Sequence, residues 1–157
     1  MLIASRKYAF ILLAGLAFLA VGCSSNNKGK IEGKWKITAL PEKGSGKNDM
    51  AEMTKVGIYV YMEFKPDGGL VFGVSSDKPE VLDFMKAAGA KQKFTWDAKY
   101  KLLPGDAVEI YDLPKDLQSG ETGLFSKKDR AKVMIKITGT EMKMTDDDGT
   151  ATLTKMQ

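Results

Sequence analysis

The sequence predicts an all-β fold: an antiparallel sandwich or barrel of eight strands with one short helix inserted. Three observations point there. From Ile31 onward, apolar residues recur mostly with period two, the pattern of half-buried strands. The alternating runs are separated by clusters with turn chemistry, such as Pro66-Asp67-Gly68-Gly69 and Asp146-Asp147-Asp148-Gly149. One stretch alone, Asp77 to Gly89, spaces its apolar residues as a helix does.

The first strand, 33–40, sets Trp35, Ile37 and Ala39 against Lys34, Lys36 and Thr38. The second, 56–65, carries Ile58, Val60, Met62 and Phe64 on one face and Tyr59, Tyr61 and Glu63 on the other. Tyr59 and Tyr61 are expected on the solvent side, where paired tyrosines suit a protein contact. Pro66 presets its backbone angle and Gly68 supplies positive φ, so the third strand, 69–75, returns as a hairpin. In the helix, Asp77 is the expected N-cap and Glu80 its capping-box partner. Pro79 falls early enough to be tolerated, and Gly89 closes the helix. Val81, Phe84, Met85 and Ala88 form its expected packing face.

The fourth strand, 92–102, alternates Phe94, Trp96, Ala98 and Tyr100 with Lys93, Thr95, Asp97 and Lys99. Pro104-Gly105-Asp106 turns into the fifth, 107–112. The sixth, 131–138, alternates Val133, Ile135 and Ile137 with Lys132 and Lys136. Gly139 turns it into the seventh, 140–146, and the aspartate run turns that into the eighth, 150–156. Two connections, Pro41 to Thr54 and Leu113 to Arg130, are long and are expected as surface loops. Leu117, Leu124 and Phe125 would pack part of the second one down.

The start of the chain is different. Arg6 and Lys7 precede Ala9 to Val21, an unbroken run of 13 apolar or small residues. A membrane-spanning helix needs about 20, so the run fits the core of an export signal. Cys23, the single cysteine, follows at once. An exported thiol with no partner is anomalous and calls for a modification. Residues 1–22 are therefore expected as a signal peptide, 23–30 as a flexible polar tether and 31–157 as the folded domain. Removing residues 1–22 leaves 22 basic and 20 acidic residues, near neutrality, so nucleic acid is not an expected partner.

The segment around Ala20-Val21-Gly22-Cys23 resembles the lipobox of bacterial lipoprotein signals, with Ala20 where Leu is more usual and Leu19 one place early. The resemblance implies that Cys23 receives a diacylglycerol thioether, that cleavage precedes it, and that the new amine is acylated. Ser24 after the lipidated cysteine implies the outer membrane, where the cell has one. Two or more acyl chains anchor a protein stably, where one is marginal.

Eight strands close a barrel just wide enough to fill itself or to hold one small ligand. Gly33-Lys34-Trp35 on the first strand resembles the lipocalin signature, whose Trp plugs the closed end of such a barrel. The resemblance implies a basic residue packed over Trp35, for which Lys155 is the candidate, and a lid, for which Pro41 to Thr54 is the match. The chain is more similar still to the small lipocalin-like (calycin-type) domains of uncharacterised bacterial lipoproteins. It shares their GKW start, Phe64-Lys65-Pro66-Asp67-Gly68, Trp96 to Tyr100, and the hairpin Asp146 to Leu153. Two departures stand out: a helix sits between the third and fourth strands, and none follows the last.

The chemistry is mostly exclusion. The chain has no histidine, which removes Ser-His-Asp and Cys-His catalysis and the usual His-based zinc sites. Glu63, Asp97 and Glu109 fall on solvent faces, away from any cleft a carboxylate pair would need. Enzymatic activity, cofactors and metals are not expected. Asp146 to Gly149 lacks the alternating oxygens and closing Glu of a calcium loop and fits a hairpin turn. Met142 and Met144 share one face, but no His or Cys completes a copper site, so they fit the core. Trp35, Phe64, Phe72, Phe94 and Trp96 either fill the core or line an apolar pocket. The expectation is a membrane-anchored envelope protein with a lipocalin-like barrel. It binds a small apolar ligand against Trp35, Phe72, Phe94 and Trp96, or serves as a non-catalytic module that contacts another envelope protein.

Overall fold

The computed structural model describes residues 27–41, 47–89, 94–118 and 129–157. The expected signal peptide and Cys23 lie outside the described residues. Eight strands form: β1 Gly33–Ala39, β2 Ile58–Phe64, β3 Gly69–Ser76, β4 Thr95–Leu102, β5 Ala107–Tyr111, β6 Arg130–Thr138, β7 Glu141–Asp146 and β8 Gly149–Lys155. Each pairs antiparallel with its sequence neighbour, and β1 also pairs with β8, so the sheet is a closed barrel. Closure leaves no edge strand with unpaired N–H and C=O groups.

Residues directly opposite in a ladder share a face, so the registers show whether the apolar faces agree around the ring. They do. Trp35 faces Met62, Met62 faces Phe72, and Phe72 faces Trp96. Tyr100 faces Ile110, Val108 faces Val133, and Ile135 faces Met144. Met142 faces Leu153, and Ile37 faces Leu153 from the other side, which closes the ring. These side chains form one buried cluster, with the half-buried Trp96 packed against it. Met142 and Met144 belong to it, in line with a core role.

An up-and-down barrel puts alternate connections at opposite ends. Lys65–Gly68, Leu103–Asp106 and Gly139–Thr140 are short and lie at one end, with the start of β1. This end is closed. Residues 27–30, expected as tether, form a turn there instead, and Asn27 is only 4% exposed. The Asn27 side-chain amide donates to the Ile135 carbonyl at 2.8 Å, and Ile31 behind it is fully buried. The opposite end, the mouth, carries the longer connections.

The mouth holds α1 Lys47–Lys55 between β1 and β2, α2 Pro79–Gly89 between β3 and β4, and the single turn α3 Lys115–Gln118 after β5. Of these only α2 was expected as a helix. The region of α1 reads as loop because Gly44, Ser45 and Gly46 precede it, yet residues 47–55 contain no Gly or Pro. Leu117 in α3 is buried, as its connection requires; Leu124 and Phe125 lie outside the described residues. Within α2, Met85 is buried but Phe84 is 74% exposed. The helix is rotated so that Val81, Leu82, Met85 and Ala88 turn inward and Phe84 does not.

The expected capping box gives way to another arrangement. The Ser76 hydroxyl accepts from Lys78 N at 3.0 Å and donates to the Gly57 carbonyl at 2.7 Å. Asp77 turns outward and pairs with Lys36 at 3.0 Å. Tyr59 and Tyr61 do lie outside the barrel, but each is only 8% exposed. The Lys34 ammonium sits 3.7 Å from the Tyr61 ring centroid, and that of Lys36 lies 4.5 Å from the Tyr59 centroid. The two ammonium groups lie over the ring faces as cation–π contacts and help to cover them. Tyr61 also lies flat across its cross-strand partner Gly73, where any Cβ would overlap the ring. An exposed tyrosine pair for protein contact is therefore not what the fold presents.

Candidate functional site

The site is built where β1 leaves the barrel. The β1–β8 register shifts between Ile37 and Ala39. A bulge of this kind bends its strand and re-aims the side chains beyond it. The Thr38 hydroxyl holds the bend by donating to the Thr152 carbonyl at 3.1 Å. Past it, Thr38, Ala39 and Leu40 face α1 across a cleft of about 510 Å³. The helix contributes Met50, Ala51, Thr54 and Lys55, spaced so that one face meets the cleft. Leu40 and Met50 pack against the barrel core and form the floor.

The lining is mostly apolar, with polar groups at the rim. Thr54 donates its hydroxyl to the Met50 carbonyl at 2.8 Å, so that hydroxyl is satisfied within the helix. Lys55 pairs with Glu52 at 2.6 Å on the solvent side. An exposed pair of this kind contributes little and opens readily. Among the described residues that line the cleft, Lys55 is thus the cation that an anionic headgroup could recruit. Pockets of this size with an apolar lining and a few polar groups are the usual form of a small-molecule site.

The four aromatic candidates divide. Trp35, Phe72 and Trp96 lie on one inward row through Met62. Trp35 and Phe72 are buried in the core, and Trp96 is half-buried against it. Phe94, also half-buried, precedes β4 on the mouth side, where its carbonyl accepts from Val74 N at 3.0 Å. None of the four lines the cleft. Sequence reading missed Leu40, Met50, Ala51 and Thr54, since two methionines, Met50 and Met53, on an otherwise polar nine-residue segment are a weak amphipathic signal.

At the closed end Trp35 is held from three sides. Its indole Nε1 donates to the Ile31 carbonyl at 2.7 Å. The Lys155 ammonium lies 5.2 Å from the ring centroid, the position the lipocalin resemblance implies. Gly33, at φ 111°, lets that lysine stem cross close above the backbone. Tyr100 completes this end: its hydroxyl donates to the Lys65 carbonyl at 2.9 Å, and its ring meets Phe64 edge-on at 5.0 Å. Burial, then the carboxylates of Glu32 and Asp67, push its phenol above the ordinary value. Burial likewise raises Tyr61, with Glu63 and Tyr59 adding to it.

The aspartate run is a turn, with the Asp146 carboxylate accepting from Asp148 N at 2.9 Å and Gly149 N at 3.2 Å. Among the described residues no helix is long and apolar enough to cross a membrane. No protein-family model, curated protein or solved structure matches the chain.

Proposed function

We propose that the chain is a lipid-anchored envelope protein whose lipocalin-like barrel presents a binding cleft for a small apolar ligand at its mouth. The cleft between the end of β1 and α1 carries this reading: about 510 Å³, apolar walls from Leu40, Met50 and the two alanines, and Lys55 at the rim. The ligand class that fits is an amphiphile with an apolar body and a small polar or anionic head near Lys55. Trp35 and Phe72 serve as the packed floor of the barrel, and Phe94 and Trp96 as its half-buried margin. The anchor is Cys23, acylated as its lipobox-like setting implies, and Ser24 directs the protein to an outer membrane. Two acyl chains suffice for stable attachment.

The test is extraction of the protein, purified from its native host, into organic solvent, followed by mass spectrometry. A reproducible stoichiometric amphiphile is expected, and it is lost in Ala51→Trp, which fills the cleft. No ligand in the extract, together with unchanged N-phenyl-1-naphthylamine binding in Ala51→Trp, refutes the carrier. Phe84, standing in solvent on α2, favours the second reading, a module that contacts another envelope protein. In that case Phe84→Ser abolishes a specific crosslinked complex in cells and leaves the extract unchanged. For the anchor, a Cys23→Ala chain that still incorporates labelled palmitate contradicts it.

A further inference from the structure

We infer that the closed end of the barrel faces the phospholipid surface and the mouth points away from it, so that the cleft exchanges its occupant with the aqueous side. The inference rests on acylation of Cys23, proposed above, and on where the chain enters the fold. Asn27 is fastened to the closed end by its bond to the Ile135 carbonyl. Lys30 N and Ile31 N return to the Asn27 carbonyl at 3.0 and 3.1 Å, and Ile31 in turn receives the Trp35 indole. The tether therefore ends at Asn27. Four fully extended residues reach at most about 14 Å.

The barrel is taller than that. Eight strand residues rise about 26 Å along the strand, which is roughly 20 Å along a barrel axis at ordinary tilt. With Asn27 docked, the anchor cannot run up the barrel wall and set the mouth on the headgroups. Lys28 and Lys30 lie exposed on the same turn, beside the anchor. Their ammonium groups meet lipid phosphates in this orientation.

The experiment uses the acylated protein, in which the only native cysteine is blocked as a thioether. A single cysteine is introduced on the closed-end turn (Thr140→Cys) or on the mouth turn (Asp147→Cys), both exposed positions. Each variant is labelled with a fluorophore and reconstituted into phosphatidylethanolamine–phosphatidylglycerol vesicles containing headgroup spin-labelled lipid. Quenching several-fold stronger at position 140 than at 147 is expected, and a Gly/Ser insert after Ser25 abolishes the difference. Equal quenching, stronger quenching at 147, or a difference that survives the longer tether overturns the inference. Intact mass separates the two levels: an unacylated Cys23 refutes the anchor, whereas an acylated chain with equal quenching refutes the orientation alone.

Discussion

Replacing Trp35 with Phe isolates the device that closes the barrel. The indole is fully buried and its Nε1 donates to the Ile31 carbonyl at 2.7 Å. Phenylalanine leaves that carbonyl without its partner in a dry setting, which costs about 1–3 kcal/mol. The smaller ring also leaves a void of roughly 40 Å³, worth about 1 kcal/mol at ~24 cal/mol per Å³. Lys155 still has an aromatic face beneath it, so that contact weakens without vanishing. The total is about 3 kcal/mol, a large share of the 5–15 kcal/mol that holds an ordinary domain folded. In urea, followed by far-ultraviolet circular dichroism, the midpoint should fall by about 1–2 M with an unchanged slope. Amide exchange at Lys30 and Ile31 should quicken, because both donate within the turn that Trp35 holds down. A midpoint loss below about 0.3 M, with exchange unaltered, would refute the reasoning: water or a shifted turn would then be satisfying the carbonyl.

Three further outcomes follow from the same geometry. Gly73→Val drives the Tyr61 ring from its seat and should cost about 1–3 kcal/mol, with part of the loss recovered in the Gly73→Val/Tyr61→Ala double variant; strict additivity in a double-mutant cycle would sink the explanation. Lys155→Gln should cost about 0.5–1 kcal/mol in thermal unfolding while Lys155→Arg holds wild-type stability, and equal losses in both would show that the charge over Trp35 is irrelevant. Stability should be flat from about pH 6 to 9, since the chain has no histidine to titrate there. It should fall at higher pH, because Tyr61 and Tyr100 have folded pKa values raised above 10.0. The folded state keeps protons that the unfolded tyrosines release, so this contribution is complete below pH 10 and lost as pH rises through the folded values. Urea midpoints at alkaline pH read it directly: Tyr100→Phe should reduce the fall, and an identical fall in the variant would assign it elsewhere.

The strands were legible because their cause is local. In β6, Ala131, Val133 and Ile135 are buried while Lys132, Met134 and Lys136 are exposed, the alternation any pleated chain must show. Turns such as Asp146 to Gly149 were legible for the same reason, since the Asp146 side chain caps its own neighbours. The cleft was not legible. It needs a one-residue register shift between β1 and β8, which leaves no periodic mark on the sequence, and a polar nine-residue helix laid against β2, whose only helical mark is the pair Met50 and Met53.

Period and turn chemistry settled that this chain is antiparallel β, where its strands run and which face of each is apolar. They settled this alone because side-chain alternation and positive-φ glycines depend only on near neighbours. Closure was settled elsewhere: Ile37 must find Leu153 far along the chain, and an open sandwich would show the same alternation. The fate of particular side chains was settled there too. Tyr61 and Phe84 are both large aromatics, yet Tyr61 is covered by Lys34 and Gly73 while Phe84 stands in solvent. Local pattern set Tyr61 on the outer face of a strand and Phe84 on a helix, but only distant strands and the rotation of that helix decided which ring was covered. The polar stretch before Ile31 shows it most plainly. Residues 27–30 read as a leash, and they become a turn fastened at Asn27 because its side-chain amide reaches the Ile135 carbonyl at the closed end.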